Sequence, residues 1–556
     1  TENCNLNPHF FAYGQFPLYL AFASDQIASV MLNSFQHLMG IPKQVRDDML
    51  VTSFPSAVFY LRFWSALSST FTILLVYLIS QFLIHNSKFS ILAALLSAFT
   101  PGLIQSAHFG TTESLLTFFF LASIYLSLRY LRNLSTVRYL FFTSLSIGLA
   151  LGSKLTGIFF FIPPFLALGT KVLQEKKQKN KLVYCLTGLL VLIGSISFFI
   201  LSSPYNLKEP DNFLSAVFGY EKDVAMGVFE AFYTRQFVET TPILFQAEKI
   251  FPYALGWPVF ILGTLGFFFL IFQIIYTLDL HPGDRGEGLP NEASLALSTT
   301  NSGAILKRSL EYSSGRTRKL ILFLSFSLYL FPNVFLFAKW TRFMIPILPF
   351  FAIFSAYFLS RFIACLPARQ GLLVFISLLP GVAFMSIYTN QDSRVTASRW
   401  IYQNIPDNSY ILSETANVVD IPVGLSEPIH KNYQVVSFDF YHLDQNPRLP
   451  GELLTHLEKS NYIFIPSRRI FANYPRFPQK YPLVTKYYDL LFSGVLGFEK
   501  VAEITSFPKL EIRNWKLEIV DEQSEETYTV FDHPVIRIYR KVKSYTKDEY
   551  RYLFES

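Results

Sequence analysis

A bundle of membrane-spanning α-helices followed by a smaller α/β domain is the fold class this sequence predicts, and three observations predict it. Of its 556 residues, 51% are hydrophobic and only 16% charged, where soluble domains carry about 25% charge. Apolar runs follow one another from about residue 57 to 388. Beyond 390 the text changes to short strand-like and helix-like segments in alternation. This balance excludes disordered, collagen-like and coiled-coil classes.

A spanning helix needs about 20 mainly apolar residues. Ten segments qualify on that reading: 57–82, 89–106, 113–131, 139–152, 155–171, 182–203, 257–278, 319–338, 343–361 and 371–388. The shorter ones require a bundle in which neighbours cover their ends. Segment 16–31 (FPLYLAFASDQIASVM) contains Asp25 and is amphipathic, so it reads as an interfacial helix on the outer face.

Loop charge orients the spans. Residues 171–181 (KVLQEKKQKNK) hold five Lys against one Glu and mark the cytoplasmic side. Arg129, Arg132, Arg138, Lys307, Arg308, Arg316, Arg318, Lys319, Arg361 and Arg369 fall on the same side. The net charge of +7 is thereby assigned to cytoplasmic loops rather than to nucleic-acid binding. Residues 1–56 then form a first extracytoplasmic loop and 57–388 the transmembrane domain. Within that domain 204–256 is a long outer loop and 279–317 a flexible cytoplasmic loop, rich in Gly, Ser and Asn. Residues 389–556 form a soluble extracytoplasmic α/β domain, with helices at Ala397–Asn404, Glu452–Lys459 and Val484–Phe492. Its strands are expected at Ser409–Leu412, Val435–Phe438, Tyr462–Pro466, 499–505 and 534–541. The result is a multi-pass plasma-membrane protein.

Charged groups in or beside spans are costly and mark candidate function. On the predicted outer face these are Glu113, which opens a helix with His108 nearby, and Lys154 at a turn between two apolar helices. Lys339 and Arg342 flank Trp340 at another turn, and Tyr233, Arg235 and Gln236 lie within YTRQF of the long outer loop. Cations on this face suit an anionic, lipid-linked substrate, and a carboxylate suits a hydroxyl acceptor. Each also has a structural reading. Glu113 is an acidic residue favoured at a helix N-terminus, and Lys154 a snorkelling side chain. Lys339 and Arg342 are headgroup anchors, His108 a hydrogen-bonded helix end, Arg235 a loop salt bridge, and Asp47 and Asp48 solvated loop charge. Three cysteines, Cys4, Cys185 and Cys365, provide neither a disulfide framework nor a zinc site. No P-loop, GxGxxG, HExxH or GxSxG is present. No cofactor is expected, and no acidic cluster has metal-ligand spacing.

Several runs resemble one family. NLNPHFFAYGQFPLYL (5–20), LRFWSAL (61–67), HFGTTESLLTFFF (108–120), GLALGSKLTG (148–157), YTRQF (233–237), GWP (256–258) and KWTRFMIPILPF (339–350) occur in the order seen in that family. YYDLLFSGVLGF (487–498) and EETYTVFDHPVIRIYRK (525–541) extend the similarity into the tail. The chain resembles the GT-C type, polyprenyl-phosphate-sugar-dependent glycosyltransferases of family 39, which include protein O-mannosyltransferases and aminoarabinose transferases. The resemblance implies an inverting hexosyltransferase that moves a sugar, mannose being the leading candidate, from a polyprenyl-phosphate carrier in the bilayer to an extracytoplasmic protein, lipid or glycan acceptor. It places Glu113 at the family's second acidic position and Lys154 at its lysine. His108, Tyr233, Arg235, Gln236, Lys339 and Arg342 then become donor or acceptor contacts. The family's main catalytic acidic residue has no counterpart after Thr1 and is expected upstream of it. No WWDYG-type motif is present, which argues against an oligosaccharyltransferase. A lipid-linked saccharide flippase and a non-catalytic membrane scaffold are the alternatives. The first needs paired half-repeats, which the sequence lacks, and the second requires Lys154, Arg235 and Glu113 to be dispensable.

Overall fold

The computed structural model describes residues 7–38, 54–132, 134–279, 301–362, 367–415, 420–424 and 431–556. Asp47, Asp48, Cys4 and Cys365 lie outside them, as does most of the expected loop 279–317. Residues 301–317, assigned from sequence to that loop, instead open the helix Asn301–Phe335.

Among the described residues, eight helices are long and apolar enough to cross a membrane, or nine with one bent pair. They make the chain an integral membrane protein. The sequence suggested ten. Segment 89–106 is two helices, Ser87–Ala98 and Pro101–His108, bent by 57° at Phe99–Thr100. Pro101 cannot continue the preceding ladder but fits the first turn of a new helix. Segment 139–152 is helical as Thr136–Ser153, but Arg138, Thr143, Ser144 and Ser146 dilute it below a spanning composition. The amphipathic segment near residue 16 is a helix, Phe16–Leu38.

The chain divides into two compact units. The first is 1–223, 254–336 and 342–381, and the second is 224–253, 337–341 and 382–556. The long outer loop 204–256 is therefore split, and its central part belongs with the tail rather than with the helix bundle.

In the first unit the spans differ in burial. Thr341–Phe362 is 83% buried and Glu113–Arg132 72%, whereas Gln178–Ser202 is only 22% buried. The first two are the interior helices and the last a peripheral one. Close approach is built from small residues: a Cβ on Gly266 would come within 2.1 Å of the Phe354 carbonyl oxygen. Helix Trp257–Asp279 can thus pack directly on Leu348–Phe362.

The second unit carries a five-stranded sheet in the order β2-β1-β3-β7-β4. Its strands are β1 Tyr410–Glu414, β2 Gln434–Phe438, β3 Tyr462–Ile465, β4 Phe498–Ile504 and β7 Ile536–Lys541. β1 pairs in parallel with β2 and β3, while β7 runs antiparallel to β3 and β4. Central β3 is buried along its length, as a strand covered on both faces must be. Helices Ser393–Asn404, Leu449–Lys459 and Pro482–Phe492 pack with it. A two-stranded hairpin, β5 Lys509–Ile512 with β6 Trp515–Glu518, and the terminal helix Lys547–Glu555 complete the unit. That helix starts on a capping box of Thr546 and Glu549.

Candidate functional site

The first unit brings charge to the ends of its two most buried helices. Glu113 occupies the first turn of Glu113–Arg132, where the helix macrodipole favours a carboxylate. Lys154 lies between helix Thr136–Ser153 and the 3₁₀ turn Leu155–Phe161, in extended backbone with φ −164° and ψ 140°. Its Nζ donates to Glu113 Oε1 at 3.2 Å, and the two side chains keep only 13% and 6% of their surface. The same ammonium stands 5.2 Å from the ring centre of Tyr13 and 4.9 Å from that of Phe343, within cation–π reach. Arg342, in the short helix Thr341–Met344, stacks at 5.6 Å on Phe343 and acts electrostatically on Glu113. A carboxylate and two cations therefore share one largely buried cluster.

The first loop is tied to the same place. The Gly14 N–H donates to the Ser153 carbonyl at 3.0 Å, and the Gln15 N–H to Ser203 Oγ at 2.9 Å. Gln15 Nε2 donates to Asn206 at 3.2 Å, and its Oε1 accepts from the Tyr205 N–H at 3.1 Å. Ser203 in turn donates to the Gly152 carbonyl at 3.0 Å. This lacing requires glycine. A Cβ on Gly14 would lie 1.9 Å from the Gly152 oxygen, and one on Gly152 would lie 2.1 Å from Ser202 Oγ. Tyr13 is thereby held against Lys154.

His108 is also in this unit, at the end of Pro101–His108. Its Nδ1 donates to the Ile104 carbonyl at 2.8 Å, the helix-end role anticipated as its structural reading.

The other sequence candidates belong to the second unit. Arg235 is buried, and its guanidinium faces the rings of Tyr474 and Tyr481 at 4.6 Å each. Gln236 uses both ends of its amide: Nε2 donates to Glu525 at 2.7 Å, and Oε1 accepts from the Glu526 N–H at 2.9 Å. Glu525 also accepts from the Thr341 N–H at 3.1 Å. Glu526 pairs with Arg469 and accepts from Asn473 at 2.7 Å. Tyr233 stacks beside Trp340 at 6.2 Å. Lys339 is buried and donates to the Phe337 carbonyl at 3.1 Å, and burial draws its ammonium below the ordinary lysine range. These contacts fasten 224–253 and 337–341 to the tail, so Tyr233, Arg235 and Gln236 are engaged in packing.

Sequence reasoning missed Tyr13, Gln15 and Phe343. All three stand inside quoted runs, where an aromatic or amide beside apolar residues carries no signal until its partner is known. No group of His, Cys, Asp and Glu suited to a metal ion occurs among the described residues.

Residues 50–200 match the family model described as dolichyl-phosphate-mannose-protein mannosyltransferase. No curated protein matches the chain. Among solved structures, the chain is similar to apo ArnT from Cupriavidus metallidurans, at 12% identity over 88% of this chain and 63% of that one, TM-score 0.38. The same enzyme bound to undecaprenyl phosphate aligns at 13% identity over 70% and 62%, TM-score 0.38. The Archaeoglobus fulgidus oligosaccharyltransferase in its apo form aligns at 14% identity over 86% and 65%, TM-score 0.41. The chain spans under two thirds of the length of each.

Proposed function

We propose that the chain is a membrane glycosyltransferase that moves a sugar from a polyprenyl-phosphate carrier to an acceptor hydroxyl on the extracytoplasmic face, with inversion and with a hexose, mannose first, as donor. One observation carries the reading. The buried Glu113–Lys154 pair with Arg342 beside it lies at the ends of the two most buried spans, and Glu113 and Lys154 fall within the residues that match the mannosyltransferase family model.

The chemistry follows from charge. The acceptor oxygen attacks the anomeric carbon and loses its proton to a carboxylate base. The bond from that carbon to the phosphate oxygen breaks, and the polyprenyl phosphate leaves with the electron pair. Lys154 and Arg342 meet the negative charge that grows on the phosphate, where preorganised donors contribute most. Lys154 has further N–H donors beyond the one given to Glu113. Glu113 is committed to Lys154, so its role is to hold that ammonium and orient the acceptor rather than to serve as the base.

The test is transfer of radiolabelled mannose from polyprenyl-phosphate mannose by membranes carrying the chain, beside Lys154→Ala, Arg342→Ala and Glu113→Gln. Loss of transfer in the two cation variants supports the reading. Wild-type rates in all three overturn it.

A further inference from the structure

The second unit contains a cleft of about 640 Å³, within the range of ligand sites, about 300–1,000 Å³. One wall is formed by residues of 236–249, a second by 468–476 and a third by 520–526. All three are helical or loop segments, so no strand edge is open there for an extended peptide to join.

Most donors of the inner wall are used. Arg476 donates to the carbonyls of Gln236 and Val238 at 3.2 and 2.9 Å. Arg468 donates to the Ser524 carbonyl at 2.9 Å and to Thr529 at 3.1 Å. Different groups stand towards the opening. Glu239, Glu248, Lys249 and Gln523 line the cleft; Glu239 acts electrostatically on Arg476, while the side chains of the other three make no hydrogen bond or ion pair among the described residues. Two buried polar atoms of lining residues, Arg468 Nε and Glu522 Oε1, also have no hydrogen-bond partner. Leu244 and Val520 remain 52% and 59% exposed at the same cleft.

The chemistry of this lining selects a ligand class. Carboxylates outnumber cations, and both arginines already face carboxylates, Arg468 those of Glu526 and Glu522 and Arg476 that of Glu239, so a phosphate or other anion is disfavoured. The Glu248 carboxylate and the Gln523 amide accept hydrogen bonds from neighbouring hydroxyls, while exposed aliphatic side chains cover C–H faces. A neutral saccharide presents both. We infer that this cleft binds a neutral oligosaccharide. As the acceptor or product side of sugar transfer, this role rests on the function proposed above, while the binding itself does not.

The experiment is titration of the full-length, detergent-solubilised chain with mannotriose, followed by saturation-transfer NMR. Inorganic phosphate and a Ser/Thr-rich peptide serve as competing probes. Saturable mannotriose binding is expected, weakened about tenfold by Glu248→Ala and by Glu239→Ala and unchanged by Lys154→Ala. Lys154→Ala that loses transfer but keeps mannotriose binding separates the two proposals, because failure of the catalytic reading leaves the cleft intact. Absence of saturable binding, binding of the peptide or phosphate alone, or binding indifferent to both cleft variants overturns the inference. Circular dichroism of each variant identifies one that fails to fold. In that case Gln523→Ala, on the exposed side of the cleft, replaces it.

Discussion

Replacing Lys154 with Met tests the pair at the centre of the site. At 3.2 Å the attraction is about 5 kcal/mol at an effective dielectric of about 20. Desolvation of both charges offsets most of that, so the intact pair adds little net stability. Removing one partner is different. Glu113 keeps only 6% of its side-chain surface, and an unpaired carboxylate there costs about 3–5 kcal/mol. Lys154→Met is therefore expected to lower the stability of the solubilised protein by that amount, read by chemical denaturation. The double variant Glu113→Gln/Lys154→Met should recover most of the loss, because it leaves no buried charge. Under the proposed function, sugar transfer should behave otherwise. It falls by about 10²–10³ when one electrostatic donor is lost, and the double variant stays as inactive as the single. A single variant within about 1 kcal/mol of the wild type, or a double variant no more stable than the single, would refute the reasoning.

Gln236→Leu removes the amide shared by Glu525 and Glu526 and should destabilise the protein by about 1–3 kcal/mol, measured by thermal unfolding, without changing membrane insertion. Gly152→Ala forces a Cβ to 2.1 Å from Ser202 Oγ. A cost of about 1–3 kcal/mol is expected, with weaker transfer because Tyr13 loses its hold on Lys154; unaltered stability and transfer would count against the lacing. The second unit should weaken as pH rises. Burial opposes charge on His533, but Asp521 and Asp532 outweigh it and push the imidazolium up to about 9, so its contribution is complete below about 6.5 and is lost as pH rises through 9. Burial likewise raises Glu414 to about 8 against the hydrogen bond from Tyr488, so the folded state holds a proton that the unfolded chain releases above about 4.3. Both effects lower the melting temperature towards pH 9, and Glu414→Gln should flatten part of that slope; a melting temperature level from pH 5 to 9 would contradict both assignments.

Much of the fold was legible. Apolar runs identify spanning helices because the cost of leaving a side chain in water is a local property. β1, β2, β3, β4 and β7 were visible from alternation between turn signals, and all lie near their expected positions. The hairpin β5–β6 was missed, since its turn at Arg513-Asn514 lacks the usual glycine, with Arg513 at φ +52°. The helix Lys547–Glu555 was missed although TKDE (546–549) carries the capping-box spacing.

Glu113 and Lys154 stood out because charged groups among apolar helices conflict with their surroundings, and the sequence by itself determined that such conflicts gather at helix ends. It also determined the membrane class, the α/β tail and the residues available for anion chemistry. Only the tertiary structure decided which charges meet. It paired Glu113 with Lys154 across 41 positions, set Tyr13 and Phe343 around the ammonium, and assigned Arg235 and Gln236 to the packing of the second unit. The physical reason is that solvent preference and backbone propensity act over a few neighbouring residues. The partner of a buried charge is selected by the closure of the whole chain, and no local period records that choice.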